Sequence, residues 1–121
     1  MKLNYEWDLN ADTWLLREYL AGAIPRTIYF DNSYIMQAYV FSDGSGNKIR
    51  FAVDDNQPST SGSDHEVSPW FTLDWIGWKL VSWDLSKGET GTWLGDGTLN
   101  GSMRFDSFQI YSRAGRSIIC P

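Results

Sequence analysis

The chain has 121 residues, 42% of them hydrophobic, 16% aromatic and 21% charged, with a net charge of −5 and a pI of about 4.6. That length suits one domain with a real core, and the composition argues against disorder. The acidic balance disfavours nucleic acid, whose phosphates it would repel, and no apolar run is long enough to insert in a membrane.

"LNYEWD" (3–8) reads as a first strand. The opening "MKLNYEWDLN" has no apolar signal core, so a secreted parent would make this a mature piece or an internal fragment. "LNADTWLLREYLAG" (9–22) has two readings. Asp12 can cap a short helix that carries Leu15, Leu16, Tyr19 and Leu20 at helical spacing and stops at Gly22; equally, the segment can run extended as an edge. "RTIYFDN" (26–32) is a short strand or lead-in.

"YIMQAYVF" (34–41) and "KIRFAVDD" (48–55) are β-rich runs either side of "SDGSGN", the pattern of a hairpin with a Gly-rich loop. The segment "DNQPSTSGSDHEVSP" (55–69) is too rich in Ser, Gly and Pro for a regular element. Two further strands, "WFTLDW" (70–75) and "WKLVSWDL" (78–85), are joined by a turn at Ile76-Gly77. "SKGETGTWLGDGTLNG" (86–101) is loop anchored by Trp93, and "SMRFDSFQIYS" (102–112) is the last strand. Many short strands between turn signals imply an all-β sandwich or barrel; the reading taken is an antiparallel β-sandwich, with residues 1–112 as the module and 113–121 as a tail. Cys120, the single cysteine, lies in that tail and excludes an internal disulfide.

Period-2 alternation sorts the faces. Ile49, Phe51 and Val53 form a wholly apolar, core-facing phase, with Arg50 and Asp54 opposite. Met36, Ala38 and Val40 point inward and leave Gln37 and Tyr39 outside. Phe71, Leu73 and Trp75 oppose Trp70, Thr72 and Asp74. Val81, Trp83 and Leu85 oppose Leu80, Ser82 and Asp84. In the last strand Met103 and Phe105 are out of phase with Phe108 and Ile110, and a β-bulge at Asp106-Ser107 reconciles them. The core expectation is therefore Ile49, Phe51, Val53, Phe71, Leu73, Val81 and Phe105, with Trp75, Trp78 and Trp83 among the buried rings.

The second face then offers Gln37, Tyr39, Arg50, Asp54, Trp70, Thr72 and Asp74. Aromatic rings among amide, guanidinium and carboxylate groups suit a sugar, whose C–H face stacks on a ring while its hydroxyls need donors and acceptors. The competing reading is a face that is merely wet, or is covered by "LLREYL". Catalytic signals are weak. His65, the only histidine, sits between Asp64 and Glu66 in a polar loop, and no nucleophile-elbow, phosphate-loop or zinc spacing is present. The expectation is a binding protein, not an enzyme.

"YVFSDGSGNKIRFAVDD", "HEVSPWFTLDWIGWKLVSWDLS" and "GSMRFDSFQI" resemble a galactose-binding-like jelly roll, found in carbohydrate-binding modules of bacterial secreted proteins. The resemblance spans roughly residues 34–111; the tail "SRAGRSIICP" does not follow it. It implies a non-catalytic module that binds a polysaccharide or oligosaccharide, secreted or at the cell surface, as part of a larger multidomain protein. The alternative is a protein–protein or cell-surface interaction module. Modules of this type often hold a structural calcium, and Asp106 matches a carboxylate position for it. They also usually carry a strand before "LNYEWD". Its lack implies a truncated N-terminus, or a homodimer in which the N-terminal region recruits a neighbouring chain.

Overall fold

The computed structural model describes residues 2–7, 15–19 and 28–112. Its strands are β1 (Leu15–Tyr19), β2 (Ile35–Asp43), β3 (Lys48–Asp54), β4 (His65–Val67), β5 (Phe71–Thr72), β6 (Ile76–Asp84) and β7 (Arg104–Tyr111). They form two antiparallel sheets around one core, an all-β sandwich. The larger sheet has the order β1-β7-β3-β4, with β5 also paired to β3; the smaller is the ribbon β2-β6.

The core is built from the phases that alternation assigns inward. Phe51, Val53, Leu73, Val81 and Trp83 are at most 7% exposed, as are Leu85, Leu99 and Met103. Ile49, Phe71 and Phe105 are half-buried rather than fully enclosed, and Phe71, Phe105 and Trp75 pack against the central cluster. Burying such side chains stabilises the fold by roughly 25 cal/mol per Å² of apolar area. The β7 bulge lies where the broken rhythm put it. Ala52 pairs with Ser107 and Val53 with Phe105, so Asp106 has no residue opposite it.

Connectivity departs from the sequence reading. β2 and β3 are not a hairpin: β2 pairs with β6 from Ile35–Asp84 to Asp43–Ile76, while β3 pairs with β4, β5 and β7. The Gly-rich loop instead carries the chain from one sheet to the other. Gly44 and Gly46 have φ of 73° and 77°, which glycine alone adopts freely. Gly46 N donates to Leu73 O at 2.9 Å and Leu73 N to Asn47 O at 2.7 Å, tying the crossing down. Two strands can face one core equally well from the same sheet or from opposite sheets, so alternation does not distinguish the two.

"WFTLDW" and "WKLVSWDL" also lie in different sheets, and only Phe71–Thr72 of the former is strand. "LNYEWD" forms no strand over residues 3–7. Of "RTIYFDN", Phe30 makes one isolated bridge to Met103. Residues 15–19 take the extended reading and pair with β7; Asp12, Leu20 and Gly22 lie outside the described residues. The polar segment 55–69 contains one unforeseen strand, β4, which pairs Val67 with Ala52 and His65 with Asp54. The tail, with Cys120, lies outside the described residues.

Candidate functional site

The seven residues expected to share one sugar-binding face lie on two outer faces, on opposite sides of the sandwich. Gln37 and Tyr39 are on the ribbon β2-β6; Arg50, Asp54, Trp70 and Thr72 belong to the larger sheet and the segment leading into β5, and Asp74 follows it, exposed.

The outer face of the larger sheet is largely closed. Arg50 is 5% exposed and Asp54 2%, so neither is presented to a ligand. Arg50 Nε donates to Gln109 Oε1 at 2.7 Å, and Nη1 to the carbonyl of Thr92 at 3.2 Å. Its guanidinium lies over the half-buried Trp70 ring, 4.0 Å from the centroid. Burial lowers the Arg50 pKa to about 10, which leaves it charged at neutral pH. Asp54 bonds His65 Nδ1 and accepts from Arg104 Nε at 3.0 Å. Trp93 stacks on His65 at 5.6 Å between ring centres, and the Arg17 guanidinium sits 5.0 Å from the Trp93 ring.

The cover is the loop that follows β6, with Arg17 from β1. Its polar sequence hides this role, because its large apolar anchors are few, Trp93 on the outer face and Leu99 in the core, and the rest of its hold is through backbone hydrogen bonds such as Gly91 N to Val67 O. Two sequence expectations are therefore corrected. Arg50 and Asp54 are buried in a layer rather than offered to a sugar, Asp54 against His65 and Arg104 and Arg50 against Gln109, and Trp70 is a packing partner of Arg50 and Tyr111 rather than an open platform.

Asp106 belongs to the same layer. Arg17 Nη2 lies 2.5 Å from its Oδ2, and Ser107 Oγ donates to that oxygen at 2.7 Å. Donor atoms of Asp54, His65 and Asp106 come within 4.8 Å of one another. The set suits calcium poorly: calcium takes oxygen ligands, whereas one of the three donors is an imidazole and the guanidiniums of Arg17 and Arg104 already pair with the two carboxylates.

The outer face of the ribbon is open. Tyr39 is 71% exposed, Trp78 70%, Phe41 60%, Ile76 84%, Ile35 53% and Leu80 41%. Register places Tyr39 opposite Leu80 and Phe41 opposite Trp78, whose rings meet edge-to-face at 5.4 Å. Gln37 Nε2 donates to Ser82 Oγ at 3.0 Å on the same face. Trp78 was expected in the core. Its own strand held the contrary signal: it is in phase with Leu80, which alternation places outside, and out of phase with Val81 and Trp83.

Between the sheets, Val40, Phe51, Phe71, Val81 and Phe108 pack without leaving space for even a water molecule, so no ligand pocket opens there. No helix among the described residues is long and apolar enough to cross a membrane. No known protein family matches the chain, nor does any curated protein or solved structure.

Proposed function

We propose that the protein is a non-catalytic binding module of the galactose-binding-like jelly-roll kind its sequence resembles, and that a polysaccharide or oligosaccharide lies along the outer face of β2-β6. The observation that carries this is the pair Tyr39 and Trp78, two rings 71% and 70% exposed on adjacent strands. Water-facing aromatic rings of this size need a reason, and stacking on the C–H faces of sugar units is one. Gln37, Ser82 and Asp43 supply donors and acceptors for hydroxyls on the same face. An open ribbon suits a chain lying across it more than a small molecule held in a pocket. Such a module works as part of a larger secreted or cell-surface protein.

A second reading rests on Ile35, Ile76 and Leu80, which border the rings and offer nothing to a hydroxyl. Aliphatic and aromatic groups together suit another protein surface. A second copy of the chain is one such partner. β1, the outer strand of its sheet among the described residues, is where a homodimer through the N-terminal region would add a strand.

A glycan array with the purified protein, followed by calorimetry on any glycan bound, tests the first reading. Tyr39→Ala and Trp78→Ala should each remove on the order of 1–3 kcal/mol of binding, the scale of ring stacking on bases. Absence of glycan binding, together with a concentration-dependent oligomer that Trp78→Ala dissolves, would move the function to the second reading.

A further inference from the structure

The ribbon β2-β6 has an unfinished edge. Leu85 N donates to Tyr34 O at 3.1 Å, one step beyond the Ile35–Asp84 pair. Residues of an antiparallel pair alternate between those that exchange hydrogen bonds and those that do not. Met36, Ala38, Val40 and Ser42 therefore turn their peptide groups toward β6, while Ile35, Gln37, Tyr39 and Phe41 turn theirs away. The peptide groups of Gln37, Tyr39 and Phe41 have no hydrogen-bond partner among the described residues. A row of unpaired donors and acceptors is a template for another strand.

The other edges are guarded. β4 and β5 have three and two residues. β1 has five and carries Arg17 and Glu18. On β6, Gly77 stands at φ 100° and its carbonyl accepts from Trp75 Nε1 at 3.0 Å. Lys79, in phase with the inward Val81 and Trp83, ends 4.9 Å from the centre of the Trp75 ring. Short strands, local kinks and inward-pointing charges are how sheets discourage edge pairing. β2 has none of these: it runs for nine residues, without Pro, Gly or a charged side chain before Asp43.

The inner side of β2 is unfinished too. Val81 and Trp83 on β6 are 5% and 3% exposed, but Met36, Ala38 and Val40, which face the same core, are only half-buried. Among the described residues no strand lies beyond β2 to flank them.

We infer that β2 pairs with β2 of a second copy, antiparallel about a two-fold axis at Tyr39, so that the two ribbons join into one sheet. The strand is compatible with itself in that register. Tyr39 meets its own twin, Gln37 meets Phe41, Ile35 meets Asp43 and Ala38 meets Val40. The residues whose peptide groups point outward thus meet each other, as the ladder requires. No like charges are opposed, whereas β1 paired about its centre would set Arg17 against Arg17. Two-fold dimers are also the commonest closed assembly. Joining would merge the exposed Tyr39, Phe41 and Trp78 of both copies into one longer face. The pairing is independent of what that face binds.

Sedimentation equilibrium over a concentration series, with circular dichroism and thermal melts, tests it. A reversible dimer is expected. Gln37→Pro removes an amide hydrogen that points away from β6, and proline is tolerated on such an edge. The variant should keep the parent's spectrum but dimerise about tenfold or more weakly, since a hydrogen bond is lost on each side of the axis. Trp78→Ala, which alters the outer face and not the edge, should dimerise as the parent does. Tyr39→Cys, made together with Cys120→Ser, should form a disulfide between copies on mild oxidation, because residues so paired lie about 5.5 Å apart at Cα. A parent that stays monomeric at about 1 mM, where even weak pairs form, overturns the inference. So does a Gln37→Pro dimer of parental strength. A dimer that Trp78→Ala dissolves and Gln37→Pro does not is a stack of outer faces, and overturns it as well. If Gln37→Pro fails to fold, the cysteine decides: without a cross-linked dimer there is no β2 pairing.

Discussion

The guanidinium of Arg50 lies 4.0 Å from the centre of the Trp70 ring, and that contact helps to close the outer face of the larger sheet. The ring shields a cation that is 5% exposed, while Gln109 Oε1 and the Thr92 carbonyl accept its hydrogen bonds. Trp70→Ala should therefore cost stability rather than ligand binding. A desolvated cation–π contact of about 2 kcal/mol, with the apolar area lost, predicts a destabilisation of roughly 2–4 kcal/mol by chemical denaturation. A variant that melts like the parent but loses a ligand would return Trp70 to a binding role.

Trp83 and Trp78 should behave as opposites although five residues separate them. Trp83 is 3% exposed and donates its indole N–H to Glu89 O at 2.8 Å. Trp83→Ala should cost roughly 3–5 kcal/mol of folding stability. Trp78 is 70% exposed, so Trp78→Ala should change stability by no more than about 0.5 kcal/mol. Denaturant melts of the two variants side by side decide the assignment, and a fragile Trp78→Ala would show that the ribbon face is covered.

Burial, with Asp96 adding to it, pushes the Glu66 carboxyl from 4.5 up to about 7. The folded chain therefore holds a proton that the unfolded chain has released between those values. Linkage makes this contribution to stability full below about pH 4.5 and lost as pH rises through 7. Asp55 is raised by burial in the same sense. Asp31, Asp64 and Asp84 are lowered by hydrogen bonds, so their contribution is lost only at more acidic pH. Tm should fall from about pH 5 to pH 7.5, and Glu66→Gln should flatten that slope. An unchanged slope in the variant would place the titrating group elsewhere.

Gly95 passes so close to Glu66 that a Cβ there would sit 2.0 Å from Oε1 and 2.5 Å from the His65 carbonyl. Neither can yield easily, since one is backbone and the other is buried. Gly95→Ala should destabilise by roughly 1–3 kcal/mol and expose Trp93, seen as a red shift in tryptophan emission. Normal melting with unshifted emission would mean that the loop does not bear on Glu66.

Strand alternation alone carries the class of fold and much of its core. A wholly apolar phase at Ile49, Phe51 and Val53 can face only inward, because a one-residue slip would put Arg50 and Asp54 there. The bulge at Asp106 was equally legible, since the two apolar phases of β7 are offset by one. The outward position of Trp78 was available from its phase with Leu80, but a tryptophan's usual preference for burial argued the other way.

Which strands become partners, and which outer face is covered, depends on contacts distant in the chain. Pairing is non-local: β2 meets β6 about forty residues away, and alternation is the same whether two strands share a sheet or oppose each other. That is why Tyr39 and Arg50, outward residues on consecutive strands, end on opposite sides of the molecule. Cover depends on where a loop lies down, and the polar run 86–101 gives little local sign that Trp93 and Leu99 will hold it. Asp55 and Glu66 meet that loop only in the folded chain, where Asn100 N and Gly97 N donate to their carboxylates.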